Sequence, residues 1–77
     1  MAPPLLSGKQ ILKILTRSFG FAVSRQKGSH ISLVRYVSNR KVVTVVPDHR
    51  QVARGTLRSI LKLAEITEED FVRNLDK

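Results

Sequence analysis

Two histidines, His30 and His49, are the side chains of this chain best suited to proton transfer near neutral pH. An imidazole can take a proton from a hydroxyl or return one to a leaving oxygen. Cysteine is absent, which excludes disulfides and thiolate zinc sites. No phosphate-cradling GxxxxGK, metal-binding or Ser/His/Asp pattern occurs. Two histidines and the nearby Asp48 supply metal ligands by composition, but their spacing does not support a metal site. No metal or cofactor is therefore expected. RNA is a substrate that brings its own nucleophile, the 2′-hydroxyl. Cleaving it without a metal requires a base near that hydroxyl, an acid near the leaving oxygen and cations around the phosphate. One or two histidines with several Lys and Arg meet that requirement. Removing a positioned acid or base costs about 10²–10⁴ in rate.

The charge distribution favours a polyanionic partner. The net charge is +8 over 77 residues. Residues 1–60 carry eleven Lys/Arg against one acid, Asp48, whereas residues 61–77 carry three against five. The excess thus sits on the body of the domain and attracts polyanions over several ångströms. A solubilising surface, or a docking face for an acidic protein, would account for the same charge. A chain of this size has little room for a deep pocket beside its core, so a shallow open site is expected. Residues 1–77 are read as one domain. No apolar run is long enough to span a membrane, and Met1–Leu6 lacks a basic segment followed by a hydrophobic core. A cytoplasmic protein with no membrane partner is expected.

The elements that must position these residues are well marked. Ser7 and Gln10 fit a capping box, and Leu6 and Ile11 fit its hydrophobic staple. Ile11, Leu12, Ile14, Leu15 and Phe19 form one apolar face, with Lys9, Lys13 and Arg17 opposite. Gly20 is a stop signal, so a helix is predicted over residues 8–18. Residues 21–26, 30–37 and 41–46 are predicted as strands, with turns at Lys27-Gly28-Ser29 and Ser38-Asn39-Arg40. Pro47 ends the third strand. The short connections make an antiparallel meander. A second helix starts near Thr56, with Leu57, Ile60, Leu61 and Ala64 as its apolar stripe. A short third helix is signalled by a Thr67/Asp70 capping box and an Ile66/Phe71 staple. The resulting fold class is α+β, in the order α-β-β-β-α-α. It has a three-stranded antiparallel sheet and helices on one face, as in double-stranded RNA-binding domains.

The hairpin of the second and third strands relates the two histidines. A three-residue loop would set His30 opposite Asp48, and a two-residue loop would set it opposite Pro47. Either register brings His30 and His49 to one end of the hairpin. Alternation sorts the second strand by face. Ile31, Leu33 and Val37 should pack under the helices. His30, Ser32, Val34 and Tyr36, together with Thr44 of the third strand, should line the open face. Each feature has a plainer account as well. A histidine at a strand start is commonly a surface residue, His49 can simply cap its turn, and the Lys9/Lys13/Arg17 stripe can be a solvated helix face.

Several motifs taken together resemble the HicA family of toxin–antitoxin toxins. Gln26-Lys27-Gly28-Ser29-His30 resembles the family's G-S-H motif. Val45-Val46-Pro47-Asp48-His49 is similar to its V-P-x-H element, and Gly55-Thr56-Leu57-Arg58-Ser59-Ile60-Leu61-Lys62 to its G-T-L-x-x-I-L helix. Ser7-Gly8-Lys9, Ile14-Leu15 and Gly20-Phe21 match its opening. The match runs from about residue 7 to 71. The resemblance implies a double-stranded RNA-binding-like fold, ribosome-independent mRNA cleavage and neutralisation by a HicB antitoxin. It also implies that His30, the histidine of G-S-H, is catalytic. Relatives often carry a second histidine or an aromatic residue just after it, where this chain has Ile31 and Ser32. The hairpin geometry, rather than the resemblance, nominates His49 as a second proton-transfer group. Lys9, Lys13, Arg25, Lys27, Gly28, Ser29, Ser32 and Arg50 are the expected RNA contacts. A monomer that forms a hetero-oligomer with its antitoxin is expected, the antitoxin covering His30. The competing accounts are a non-catalytic RNA-binding module of the same fold and a protein-interaction domain that uses its charge on an acidic partner.

Overall fold

Two-residue turns set the architecture of the sheet. In the computed structural model, which describes residues 5–75, the elements run α1 (Gly8–Ser18), β1 (Ala22–Lys27), β2 (His30–Val37), β3 (Arg40–Pro47), α2 (Arg54–Ala64) and α3 (Glu68–Arg73). This is the α+β order expected from the sequence. The strands form one antiparallel sheet in the order β1-β2-β3. Ser38 and Asn39 both have positive φ, at 49° and 66°. That is the type I′ geometry whose twist suits a two-residue hairpin. Val37 consequently pairs with Arg40, and His30 pairs with Pro47 rather than Asp48. The two-residue alternative for this loop is the one the chain adopts.

The helices cover one face of the sheet. Ile11, Ile14 and Leu15 of α1 and Ile60, Leu61 and Ala64 of α2 pack with Ile31, Leu33, Val42 and Val46 in one core. Full burial of a Leu, Ile or Phe side chain contributes about 1.5–3 kcal/mol, and Phe71 of α3 joins the same core. Thr44 was expected on the open face but lies on the covered one. It pairs with Leu33, is only 1% exposed, and its hydroxyl donates to the Ile60 carbonyl at 2.8 Å. The one-residue change of register between the two loop lengths accounts for this. With Val37 paired to Arg40, even-numbered residues of β3 share a face with odd-numbered residues of β2.

The helix ends obey local chemistry. Ser7 and Gln10 form the full reciprocal capping box of α1. Thr67 caps α3 by accepting from the Asp70 N–H at 3.1 Å. The Asp70 carboxylate does not complete that box, because it pairs with Arg73 at 3.2 Å. Arg35 ties the helices to the sheet from below. Its guanidinium donates to the carbonyls of Phe19 and Ala64, both at 3.0 Å, and lies 4.8 Å from the centre of the Phe21 ring. These carbonyls belong to the C-terminal ends of α1 and α2, where a cation is favoured.

At the opposite end, α1 meets the tail of β3 with almost no clearance. The Gly8 N–H donates to the His49 carbonyl at 2.8 Å. A Cβ on Gly8 would lie 2.0 Å from the Pro47 carbonyl oxygen. Gly55, in the first turn of α2, has nothing within 4 Å of such a carbon. The same substitution should therefore act with opposite sign at these two positions. Gly8→Ala is expected to destabilise by at least about 1–3 kcal/mol, the usual range for overpacking. Gly55→Ala should stabilise by about 0.4–1 kcal/mol. Urea unfolding of both variants measures the difference.

Glu65 closes α2 in the left-handed conformation, with φ 59°, and makes a bidentate pair with Arg40 of β3. The Arg40 hydrogen bond, ahead of its charge and that of Arg35, holds the Glu65 carboxyl below its ordinary value; partial desolvation opposes this. A carboxyl depressed in the folded state stabilises fully above its unfolded pKa, about 4.3, and loses that contribution as pH falls through the folded value. Wild type should therefore exceed Glu65→Gln in thermal stability at neutral pH. The gap should close on acidification below about pH 4, as followed by circular dichroism melts.

Candidate active site on the open sheet face

The β1–β2 turn consists of Gly28 and Ser29 alone, since Lys27 pairs with His30. Gly28 has φ 59° and Ser29 is not among the positive-φ residues, the pattern of a type II′ turn. The Gln26 side-chain amide braces the turn by donating to the Gly28 carbonyl at 3.1 Å. The Ser29 carbonyl accepts from the Asp48 N–H at 2.6 Å. His30 thus enters β2 directly after a short turn whose last carbonyl is bonded to the tail of β3. His49 follows just beyond. Its own N–H donates to the Pro47 carbonyl at 2.9 Å, and its carbonyl takes the Gly8 N–H. Both histidines are exposed, and Asp48 between His49 and Pro47 is half-buried.

A bulge in β1 decides which side chains share the face with His30. Arg25 pairs with Ser32 and Val23 with Leu33, so Ser24 is an extra residue. Its hydroxyl donates to the Ser32 carbonyl at 3.2 Å. Without that extra residue, Phe21, Val23, Arg25 and Lys27 would all point to one side. With it, Phe21 goes to the core, while Arg25 and Lys27 stay on the face of Ser32 and His30. The outward row of β2 is His30, Ser32, Val34 and Tyr36. It is flanked by Lys27, Arg25 and Ala22 on β1 and by Lys41, Val43 and Val45 on β3. None of these residues is acidic.

The residues singled out from sequence fall into three groups. His30, Arg25, Lys27, Gly28, Ser29 and Ser32 lie together on the β1–β2 hairpin. His49 and Arg50, with Gln51, line a surface concavity past the end of β3. Lys9 adjoins this end, because it follows Gly8, whose N–H meets His49. Lys13 lies elsewhere, in a concavity lined with Leu6, Gln10, Ile14, Arg17, Ser18 and Leu75. Sequence reasoning passed over Arg35 and the Ser24 bulge, which together orient the hairpin. An arginine interrupting the inward row Ile31, Leu33, Val37 was the available signal for the first. Among the described residues, no group of three or more His, Cys, Asp or Glu could hold a metal ion. No helix there is long and apolar enough to cross a membrane.

Comparison with known families matches residues 8–66 to the family described as the HicA toxin of bacterial toxin–antitoxin. That span reaches from the first residue of α1 to just past α2 and includes the whole sheet. No curated protein matches the chain.

Gly28 is the local constraint on His30. Gly28→Ala places a side chain in the left-handed region and should cost about 1–2 kcal/mol. Chemical denaturation at unchanged m-value is the measurement.

Proposed function

Because this chain belongs to the HicA toxin family of bacterial toxin–antitoxin systems, we propose that it is an endoribonuclease that cleaves mRNA with His30 as its catalytic residue. The observation that carries this is the exposed His30 at the mouth of a two-residue turn, on a face that bears Arg25 and Lys27 and no acid. The reaction needs no group beyond side chains of this chain. One imidazole removes the 2′-hydroxyl proton, the oxygen attacks the adjacent phosphorus, and the 5′-oxygen leaves with a proton from an acid. A cyclic phosphate and a 5′-hydroxyl end result.

His49 is the candidate second proton-transfer group. Its backbone is bonded to Pro47, the residue paired with His30, which supports a common neighbourhood for the two rings. Arg25, Lys27 and Arg50 are suited to the phosphate charge, as developing charge on a phosphoryl group is stabilised by nearby cations. Lys9, next to the close contact of α1 with β3, can add to them. Gly28 and Ser29 act by shaping the turn, and Ser32 is within the same row as His30. Lys13 is the least supported of the RNA contacts, given its place on the far concavity.

Membership of a toxin–antitoxin family implies a neutralising partner. We take it to be a HicB-like protein with an acidic surface that covers His30. Opposite charge would speed the encounter and exclude RNA from the same face. The monomer is then the active form, the hetero-oligomer the silent one, and the cytoplasm, where mRNA is translated, the place of action.

The test is RNA cleavage in EDTA by wild type, His30→Ala and His49→Ala, with folding verified by circular dichroism. His30→Ala should lose at least about 10²–10⁴ in rate. His49→Ala should lose a comparable factor and flatten one limb of the pH–rate profile. Full activity of His30→Ala would overturn the assignment. RNA binding without cleavage by any of the three would leave a non-catalytic RNA-binding module instead.

A further inference from the structure

Tyr36 stands out on the open face. It is 70% exposed, although a tyrosine ring ordinarily contributes by burial. It lies in the same outward row as His30, six residues along β2, which is about 20 Å at the strand rise. Its cross-strand partner is Lys41. The apolar strip beside it is formed by Val34, Val43 and Val45, the last two 42% and 36% exposed.

Cations accompany this row along its length. His30 is opposite Lys27, Ser32 opposite Arg25 and Tyr36 opposite Lys41. A flat face of this kind offers an exposed ring for a base and cations for the phosphates on either side. That combination is the chemistry of single-strand recognition, in which bases stack on aromatic side chains while the backbone follows positive charge. A duplex cannot use it, because its bases are already stacked inside the helix. A face with no acid and an exposed tyrosine beside a lysine suits a nucleic acid strand.

We propose that Tyr36 is a base-stacking subsite, holding a nucleotide of single-stranded RNA several positions from the phosphate at His30. The inference rests on the ribonuclease reading for the identity of the substrate. It adds that the substrate must be unpaired along β2 and that Tyr36 contributes to its selection. A dinucleotide is too short to reach from His30 to Tyr36.

The chain offers its own probe. Tyr36 is its only tyrosine and it has no tryptophan, so tyrosine emission reports this site alone. A single-stranded dodecaribonucleotide titrated into the His30→Ala protein should quench that emission, and the corresponding duplex should not. Adding Tyr36→Ala to His30→Ala should weaken strand binding, measured by anisotropy of a labelled oligonucleotide, by about five- to a hundredfold. Tyr36→Phe should keep the affinity. In the otherwise wild-type protein, Tyr36→Ala should raise KM for the long substrate and leave dinucleotide cleavage unchanged. Undiminished strand binding by the Tyr36→Ala variant would overturn the proposal, even if His30→Ala proves inactive and the ribonuclease reading stands. Quenching and weakened binding in a protein that never cleaves would uphold the subsite and remove the ribonuclease reading. If Tyr36→Ala binds RNA normally but loses an acidic partner protein, the face is a protein interface and the stacking proposal fails.

Discussion

Arg35 donates one N–H to the Phe19 carbonyl and another to that of Ala64, with its guanidinium over the Phe21 ring. Hydrogen bonds from a charged donor contribute about 1.5–3 kcal/mol each. These two join the C-terminal ends of both long helices to the middle strand. Gly8 supplies the matching constraint at the other end, where its N–H meets the His49 carbonyl. Between these two anchors, the helices lie across β2 and β3 and leave the other face of the sheet bare. The exposure of His30 and Tyr36 is therefore a result of how the helices are pinned.

One-sided coverage also sorts the chemistry. Apolar side chains at odd positions of β2 and even positions of β3 meet the helices. The remaining positions have no partner layer and carry His30, Ser32, Tyr36 and Lys41 beside Val34, Val43 and Val45. The acids cluster past residue 60, apart from Asp48. Three of them hold cations of the fold itself, Glu65 with Arg40, Glu68 with Arg58 and Asp70 with Arg73. The open sheet face is left positive because the described acids past residue 60 lie at the end of α2 and in α3.

Much of this was legible in the residues. Ser7 and Gln10, Thr67 before its acidic turn, and the three β-rich runs gave the element order, because capping and periodicity act locally. The hairpin register was legible only as two alternatives. Choosing between them depends on whether Ser38 and Asn39 both accept positive φ, and neither is glycine. Thr44 was misplaced for that reason, since a shift of one residue exchanges the two faces of a strand. Arg35 was invisible because its partners are main-chain carbonyls far off in the chain. Gly8 looked like part of a helix start, whereas its lack of a side chain serves a contact with Pro47. For the site, residue type nominated His30. What surrounds it depended on a bulge that alternation alone does not reveal.

That bulge has a second consequence, for self-association. With the order β1-β2-β3, β1 is an edge strand, and the helices leave all six of its residues exposed. An uncovered, regular edge would template pairing with another copy. The extra residue at Ser24 breaks the regular ladder, and Arg25 and Lys27 beside it put like charges where two such edges would meet. The irregularity that sends Phe21 to the core while Arg25 and Lys27 stay beside the histidine thus also discourages the protein from polymerising through its own sheet.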